Sequence, residues 1–219
     1  MHSTVQNLIN IENEIKSNLN DLNINKLPKI IAVSKTFKID KILPLIEHGH
    51  IDFGENKVQE ALDKWAEIRL TNSNIQLHMI GKLQTNKVKF AVKLFDYIHS
   101  VDSQKLAKKI ADEQKKIKKK TKIFIQVNIG DEDQKSGIYK NELNDLVYYC
   151  KKINLDVVGL MCIPPANIDS SIYFKEINIL NKNFSFSELS MGMSSDYLNA
   201  SINFASYLRI GSSIFGKRN

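Results

Sequence analysis

The amino-acid sequence predicts an α/β protein folded as a single (β/α)8 TIM barrel with an extra N-terminal helix. Three observations lead there. Eight short apolar runs recur along the 219 residues, stretches of helical period separate them, and no Pro/Gly/Ser-rich linker breaks the alternation. The runs are also continuous and β-branched, as in IIAV (30–33) and VVGLM (157–161). That pattern suits parallel strands covered on both faces rather than half-exposed antiparallel ones. A doubly wound open sheet is the alternative built from the same elements.

In order, the chain opens on an amphipathic helix carried by Val5, Leu8, Ile9, Ile15, Leu19 and Leu22. The predicted strands are KIIAVS (29–34), HIDFG (50–54), IQLHMIG (75–81), DYIHSV (96–101), KIFIQVN (122–128), LDVVGLMCI (155–163), SELSMG (187–192) and YLRIG (207–211). Seven helices join them, over 39–48, 55–70, 84–95, 103–119, 140–153, 171–182 and 194–204. One domain covering 1–219 is expected, shorter than the roughly 250 residues usual for this barrel, so loops and helices must be trimmed, most tightly between Pro164 and Phe186.

Composition narrows the class. Hydrophobic content of 42% and charged content of 25% belong to a globular chain, and no apolar run nears the roughly 20 residues of a membrane span. The N-terminus lacks a basic start followed by an apolar block, so a cytoplasmic protein with no membrane partner is expected. Cys150 and Cys162 have no metal-like spacing, and neither do His48 and His50. The net charge of +7 raises nucleic acid as a partner, but the densest patch, QKKIKKKTK (114–122), ends a predicted helix and has no interleaved aromatics. A solvated face, and no nucleic-acid partner, is the expectation. Only three arginines occur, Arg69, Arg209 and Arg218.

In such a barrel, chemistry gathers at the C-terminal ends of the strands. The first predicted strand ends in Lys35 and the second in Gly54-Glu55-Asn56, while the seventh and eighth end in SMGMSSD and RIGSS. Small residues let backbone approach a ligand, and Ser194 or Ser195 could cap a helix near Asp196, so these last two ends read as an anion site. Taken singly, each reads more readily as only a turn. Lys35 is a solvated strand-end lysine in isolation, but a partly desolvated amine near other cations such as Lys38 or Arg209 is a nucleophile for carbonyl compounds. Amine and phosphate site together suggest a phosphorylated aldehyde, and pyridoxal 5'-phosphate fits both ends. His78 is expected near the mouth, and Glu55 as a cap or ion-pair residue rather than a general base.

Seven segments then carry a resemblance: AVSKT (32–36), DFGENKVQE (52–60), HMIGKLQTNK (78–87), the KSG of DEDQKSGI (131–138), GLMCIP (159–164), LSMGMSSD (189–196) and RIGSSIFGKR (209–218). Together, in order and over almost the whole chain, they resemble the YggS/PROSC family of pyridoxal-phosphate-binding homeostasis proteins. The resemblance implies a fold-type III barrel similar to the barrel half of alanine racemase, without that enzyme's second domain. It implies that Lys35 carries pyridoxal 5'-phosphate as an internal aldimine. Arg209 is implied to face the pyridine nitrogen, Ser194, Gly211 and Ser212 to bind the phosphate, and Asn56 to lie near the cofactor. The implied function is storage and delivery of the cofactor without turnover, by a monomer that supplies pyridoxal-phosphate-requiring apo-enzymes. An amino-acid racemase working from the barrel alone is the alternative. Where the family commonly has a second lysine two positions after the first, this chain has Phe37, with Lys38 next door. Lys135 matches the KSG lysine, with a secondary-binding role and a plain surface role both open.

Overall fold

The computed structural model describes residues 1–166 and 168–216. Eight parallel strands close into a barrel in sequence order: β1 (Lys29–Val33), β2 (Asp52–Glu55), β3 (Gln76–Met79), β4 (Tyr97–Val101), β5 (Lys122–Val127), β6 (Val157–Cys162), β7 (Glu188–Ser190) and β8 (Tyr207–Ile210). Closure is made by β8 against β1, in register from Lys29↔Tyr207 to Ala32↔Ile210. The open doubly wound sheet is thereby ruled out, and every predicted strand is present, each trimmed or shifted by one to three residues.

The helices follow the sequence reading less closely at their ends. They are α1 (Ser3–Asp21), α2 (Ile39–Glu47), α3 (Val58–Trp65), α4 (Ile68–Thr71), α5 (Val88–Leu94), α6 (Gln104–Ile117), α7 (Leu143–Lys152), α8 (Ser170–Asn183), α9 (Tyr197–Ile202) and α10 (Ser212–Phe215). The helix expected over 55–70 is split after Trp65, the last of the buried face Val58, Ala61 and Trp65, which packs on Phe53 with ring centroids 4.9 Å apart. Single 3-10 turns at Thr85–Lys87 and Lys140–Glu142 lead into α5 and α7. A short helix after β8, α10, was not expected.

Strand alternation sorts the core into two compartments. Along β1, Ile30 and Ala32 join the layer between strands and helices, while Ile31 joins a lumen cluster with Tyr97, Phe124, Met161 and Tyr207. Burying each such side chain contributes about 1.5–3 kcal/mol. Helix α1 lays Val5, Leu8, Ile11, Ile15 and Leu19 onto this body, against α2, α9 and α10, and Asn7 Nδ2 donates to the Ile214 carbonyl at 2.9 Å.

The basic run after α6 is put to local use. Lys118 ends α6 in a left-handed conformation, Lys119 Nζ donates to the Lys93 and Phe95 carbonyls at the end of α5, and Lys122 Nζ donates to Tyr97 Oη at 3.3 Å. Arg69 is likewise structural, paired with Asp96 at 3.0 Å. Arg218 lies outside the described residues, with the end of the RIGSSIFGKR segment. Both cysteines are buried and unpaired, and burial pushes their thiols up to about 12. Among the described residues no metal-ligand cluster forms, and no helix is long and apolar enough to cross a membrane.

Candidate functional site

A cavity of about 890 Å³ opens where the C-terminal ends of the strands meet. Lys35, Asn56, Ser194, Arg209, Gly211 and Ser212 all line it. The six positions come from four strand ends spread over nearly the whole chain, and barrel closure brings β1 and β8 side by side. Lys82 and Lys135 stand at the same cavity, while Lys38 is exposed at the start of α2 and takes no part.

Lys35 sits two residues beyond β1, half-buried, in a turn whose next residue, Thr36, has φ 68. Both neighbours of Lys35 are held from α3. Lys64 Nζ donates to the Ser34 carbonyl at 2.8 Å and to Glu55 Oε1 at 2.9 Å, and Glu60 accepts the Thr36 amide. Glu55 is wholly buried and also accepts from Ser34 Oγ at 2.7 Å and Trp65 Nε1 at 3.0 Å, so it is the ion-pair residue expected of it. Phe37, where the resembling family carries a lysine, stacks on Phe215 of α10 at 4.8 Å and pins the loop to the end of the chain.

Arg209 is the buried cation of the site. It points from β8 into the cavity floor, donating from Nη1 to Ser190 Oγ and from Nη2 to the Cys162 carbonyl, each at 2.8 Å. Among the described residues no carboxylate lies within ion-pair distance of it, and burial pulls its pKa down from the usual arginine value. Asp196 acts on it only from beyond ion-pair distance, and a buried guanidinium with donors to spare calls for an acceptor in the cavity. Asn56 adds a second open valence, since its Oδ1 is buried without a hydrogen-bond partner among the described residues. Gly81 forms the wall beside it: a Cβ there would lie 2.4 Å from the Asn56 carbonyl oxygen.

The loops after β7 and β8 meet as expected, with one correction. Neither Ser194 nor Ser195 caps α9; Asp196 holds the N-cap position, and its Oδ1 accepts from the Met193 amide at 2.6 Å. Ser194 Oγ instead accepts from the Ser213 amide at 3.3 Å and ties the two loops together, because the loop turns one residue later than the Ser-Ser pair suggested. Gln126, at the end of the fifth predicted strand, also lines the cavity, and its Nε2 donates at 3.0 Å to the carbonyl of Ser136, a lining residue that strand-end reasoning passed over.

His78 is not at the mouth. It lies in the lumen with Nε2 2.9 Å from Asp52 Oδ1 and Nδ1 2.9 Å from His99 Nε2, and His99 Nδ1 is 2.8 Å from Ser190 Oγ. The signal for this group was a polar residue in the middle of an otherwise buried strand, in IDFG, QLHM, YIHS and ELS.

Residues 11–219 match the family model of the alanine racemase N-terminal domain. Curated relatives named pyridoxal phosphate homeostasis protein include one from Vibrio alginolyticus, 34% identical and covering 100% of this chain and 99% of its own. Another, from Pasteurella multocida, is 34% identical over 87% and 86% of the two chains. The chain belongs to the pyridoxal phosphate homeostasis protein family. Among solved family structures, PipY of Synechococcus elongatus PCC7942 is similar both without PLP (TM-score 0.81, 32% identity) and with PLP bound (TM-score 0.80, 30% identity). Each comparison covers 92% of this chain and 100% of PipY. Alanine racemase from Clostridium difficile 630 shares the fold alone, at TM-score 0.68 and 16% identity, with 56% of that enzyme covered.

Proposed function

We propose that this family member binds pyridoxal 5'-phosphate in the strand-end cavity, holds it on Lys35, and stores and delivers it without turnover of a substrate of its own. The carrying observation is one cavity that joins the Lys35 amine, the buried Arg209 guanidinium and the linked Ser/Gly loops after β7 and β8. The names of the relatives, and the PipY structure with PLP bound, support the same ligand. The open valences on Arg209 and Asn56 fit a group with an acceptor nitrogen and polar ring substituents.

Bound pyridoxal phosphate supplies an aldehyde that bonds reversibly to amines, so a shaped pocket limits its damage elsewhere yet permits transfer. In this reading Lys35 would make the covalent link, and Ser194, Gly211 and Ser212 would hold the phosphate. Asn56 would donate or accept at the ring edge, and Arg209 would donate to the ring nitrogen. An arginine cannot take up the ring proton, and its charge opposes protonation of that nitrogen, which weakens the electron sink on which carbanion chemistry depends. Among the described residues lining the cavity there is no Asp, Glu, His or Tyr. Racemisation needs a second acid/base on the opposite face of the substrate, a part that only Lys82 or Lys135 could take among the described lining residues, so the case for storage rests on Arg209. The recipients are pyridoxal-phosphate-requiring apo-enzymes, and the reading takes the protein to be a cytoplasmic, single-domain monomer.

The test is the visible absorption of the purified protein with added cofactor. A yellow band that persists through dialysis, and is absent in Lys35→Ala, is expected; a protein that stays colourless overturns the reading. Lys35-dependent exchange of the α-hydrogen of amino acids in deuterated water would overturn the absence of turnover.

A further inference from the structure

The lumen of the barrel contains an unbroken polar chain from its floor to the cofactor cavity. Asp52 of β2, His78 of β3, His99 of β4, Ser190 of β7 and Arg209 of β8 are joined by contacts of 2.9, 2.9, 2.8 and 2.8 Å. All five side chains are buried. The proton positions follow from the two ends. Arg209 can only donate, so Ser190 Oγ accepts from it. The Asp52 carboxylate can only accept, so His78 Nε2 carries a proton. A neutral His78 then needs a donor at Nδ1, which is His99 Nε2–H, and a neutral His99 needs a donor at Nδ1, which is Ser190 Oγ–H. This assignment satisfies every contact with both rings neutral, and all its protons point from Arg209 toward Asp52.

Other groups around the chain agree with it. His78 stacks on Tyr97 at 4.4 Å and His99 on Phe124 at 4.3 Å, so the rings are held flat between aromatic faces. The charged groups acting on His78 are Asp52, Asp96 and Lys29; His99 faces the Arg209 guanidinium and, should it protonate, the His78 ring. Burial outweighs the two carboxylates and holds both rings below the usual histidine range. A proton added to either ring would leave the Ser190 hydroxyl without its acceptor beside a buried guanidinium.

We propose that Ser190, His99, His78 and Asp52 are positioning residues that orient Arg209 toward the ligand, through a chain of hydrogen bonds anchored on the Asp52 carboxylate at the far end of the lumen. Aligned hydrogen bonds polarise one another, so the carboxylate strengthens Ser190 as the acceptor for Arg209 through two neutral rings. The chain thereby fixes the orientation of a guanidinium that is charged in any case, while Asp196 is the carboxylate that acts on that charge directly. The proposal rests on the reading above for the identity of the ligand, and on the lumen geometry alone for the chain.

Nuclear magnetic resonance of the ligand-free protein tests the chain directly. His78 and His99 are expected as neutral Nε2–H tautomers that do not titrate between about pH 5.5 and about pH 8, the window in which an ordinary histidine does. Asp52→Asn keeps the shape and removes the charge. It is expected to speed hydrogen exchange of the Arg209 guanidinium, and to weaken uptake of pyridoxal phosphate, each by about tenfold, the size of one charge-assisted hydrogen bond. Ser190→Ala is expected to do the same, with Lys35 still able to form its covalent link. An Nδ1–H tautomer on His99, a ring that titrates in that window, or wild-type exchange in Asp52→Asn overturns the chain. Wild-type cofactor affinity in both variants overturns its link to the ligand. If the wild-type protein takes up no pyridoxal phosphate, the ligand reading fails, while the tautomers and Arg209 exchange still decide the chain.

Discussion

At the scale of single residues, the site depends on where backbone comes close. Asn56 and Gly81 face each other across the ends of β2 and β3, and a Cβ on Gly81 would fall 2.4 Å from the Asn56 carbonyl oxygen and 2.7 Å from its Cβ. Gly81→Ala must therefore displace Asn56. The expected result is a loss of about 1–3 kcal/mol of stability in urea, with uptake of pyridoxal phosphate weakened by a similar margin. Lys35, Asn56 and Arg209 were legible because each directly follows or ends an apolar run, and barrel topology says where such residues converge. Phe37 was legible only as a departure from a family pattern. Its contact is with Phe215, nearly the whole chain away, and no local pattern encodes that.

At the scale of elements, β1 delivers Lys35, but α3 holds it in place. Lys64 spans the Ser34 carbonyl, Glu55 and Glu60, and Glu55 is buried with one oxygen, Oε2, unpartnered. Lys64→Met would leave Glu55 as an uncompensated buried charge, at an expected cost of about 3–5 kcal/mol in denaturant unfolding. The double variant with Glu55→Gln should recover part of that loss, because the two side chains are in direct contact. Equal stabilities for the single and double variants would contradict this coupling. The strands were readable from their β-branched runs. The break between α3 and α4 was not, since no Gly or Pro marks it; what the structure shows there is Trp65, the last residue of α3, packed on Phe53 and donating to Glu55.

At the scale of the whole molecule, closure places polar groups from five strands in one lumen, and this couples stability to pH. His99 is held neutral with its pKa well below 6.5, and burial moves His78 and His50 in the same direction. The unfolded chain binds these protons first as pH falls, so stability is full above about 6.5 and declines below it. His99 alone should cost about 1.4 kcal/mol at one pH unit below its unfolded value. Asp102 and Glu12, raised by burial, act in the opposite sense but only nearer the carboxylate range. Urea midpoints measured between about pH 7 and about pH 5.5 should fall, and the fall should flatten in His99→Gln. A flat profile in the wild-type protein would contradict neutral burial of these rings. The count of eight strands was enough to predict the barrel. The polar lumen was not foreseen, because its members lie in separate strands and each alone looks like one odd residue in an apolar run.

The central claim is that Lys35 holds the cofactor, and Lys82 and Lys135 at the same cavity make the choice of lysine a real question. Borohydride reduction of the pyridoxal-phosphate-loaded protein, followed by proteolysis and mass spectrometry of the peptides, answers it. The pyridoxyl label is expected on Lys35, stoichiometric and absent from Lys35→Ala. Label found chiefly on Lys82 or Lys135, or spread over surface lysines, would contradict it.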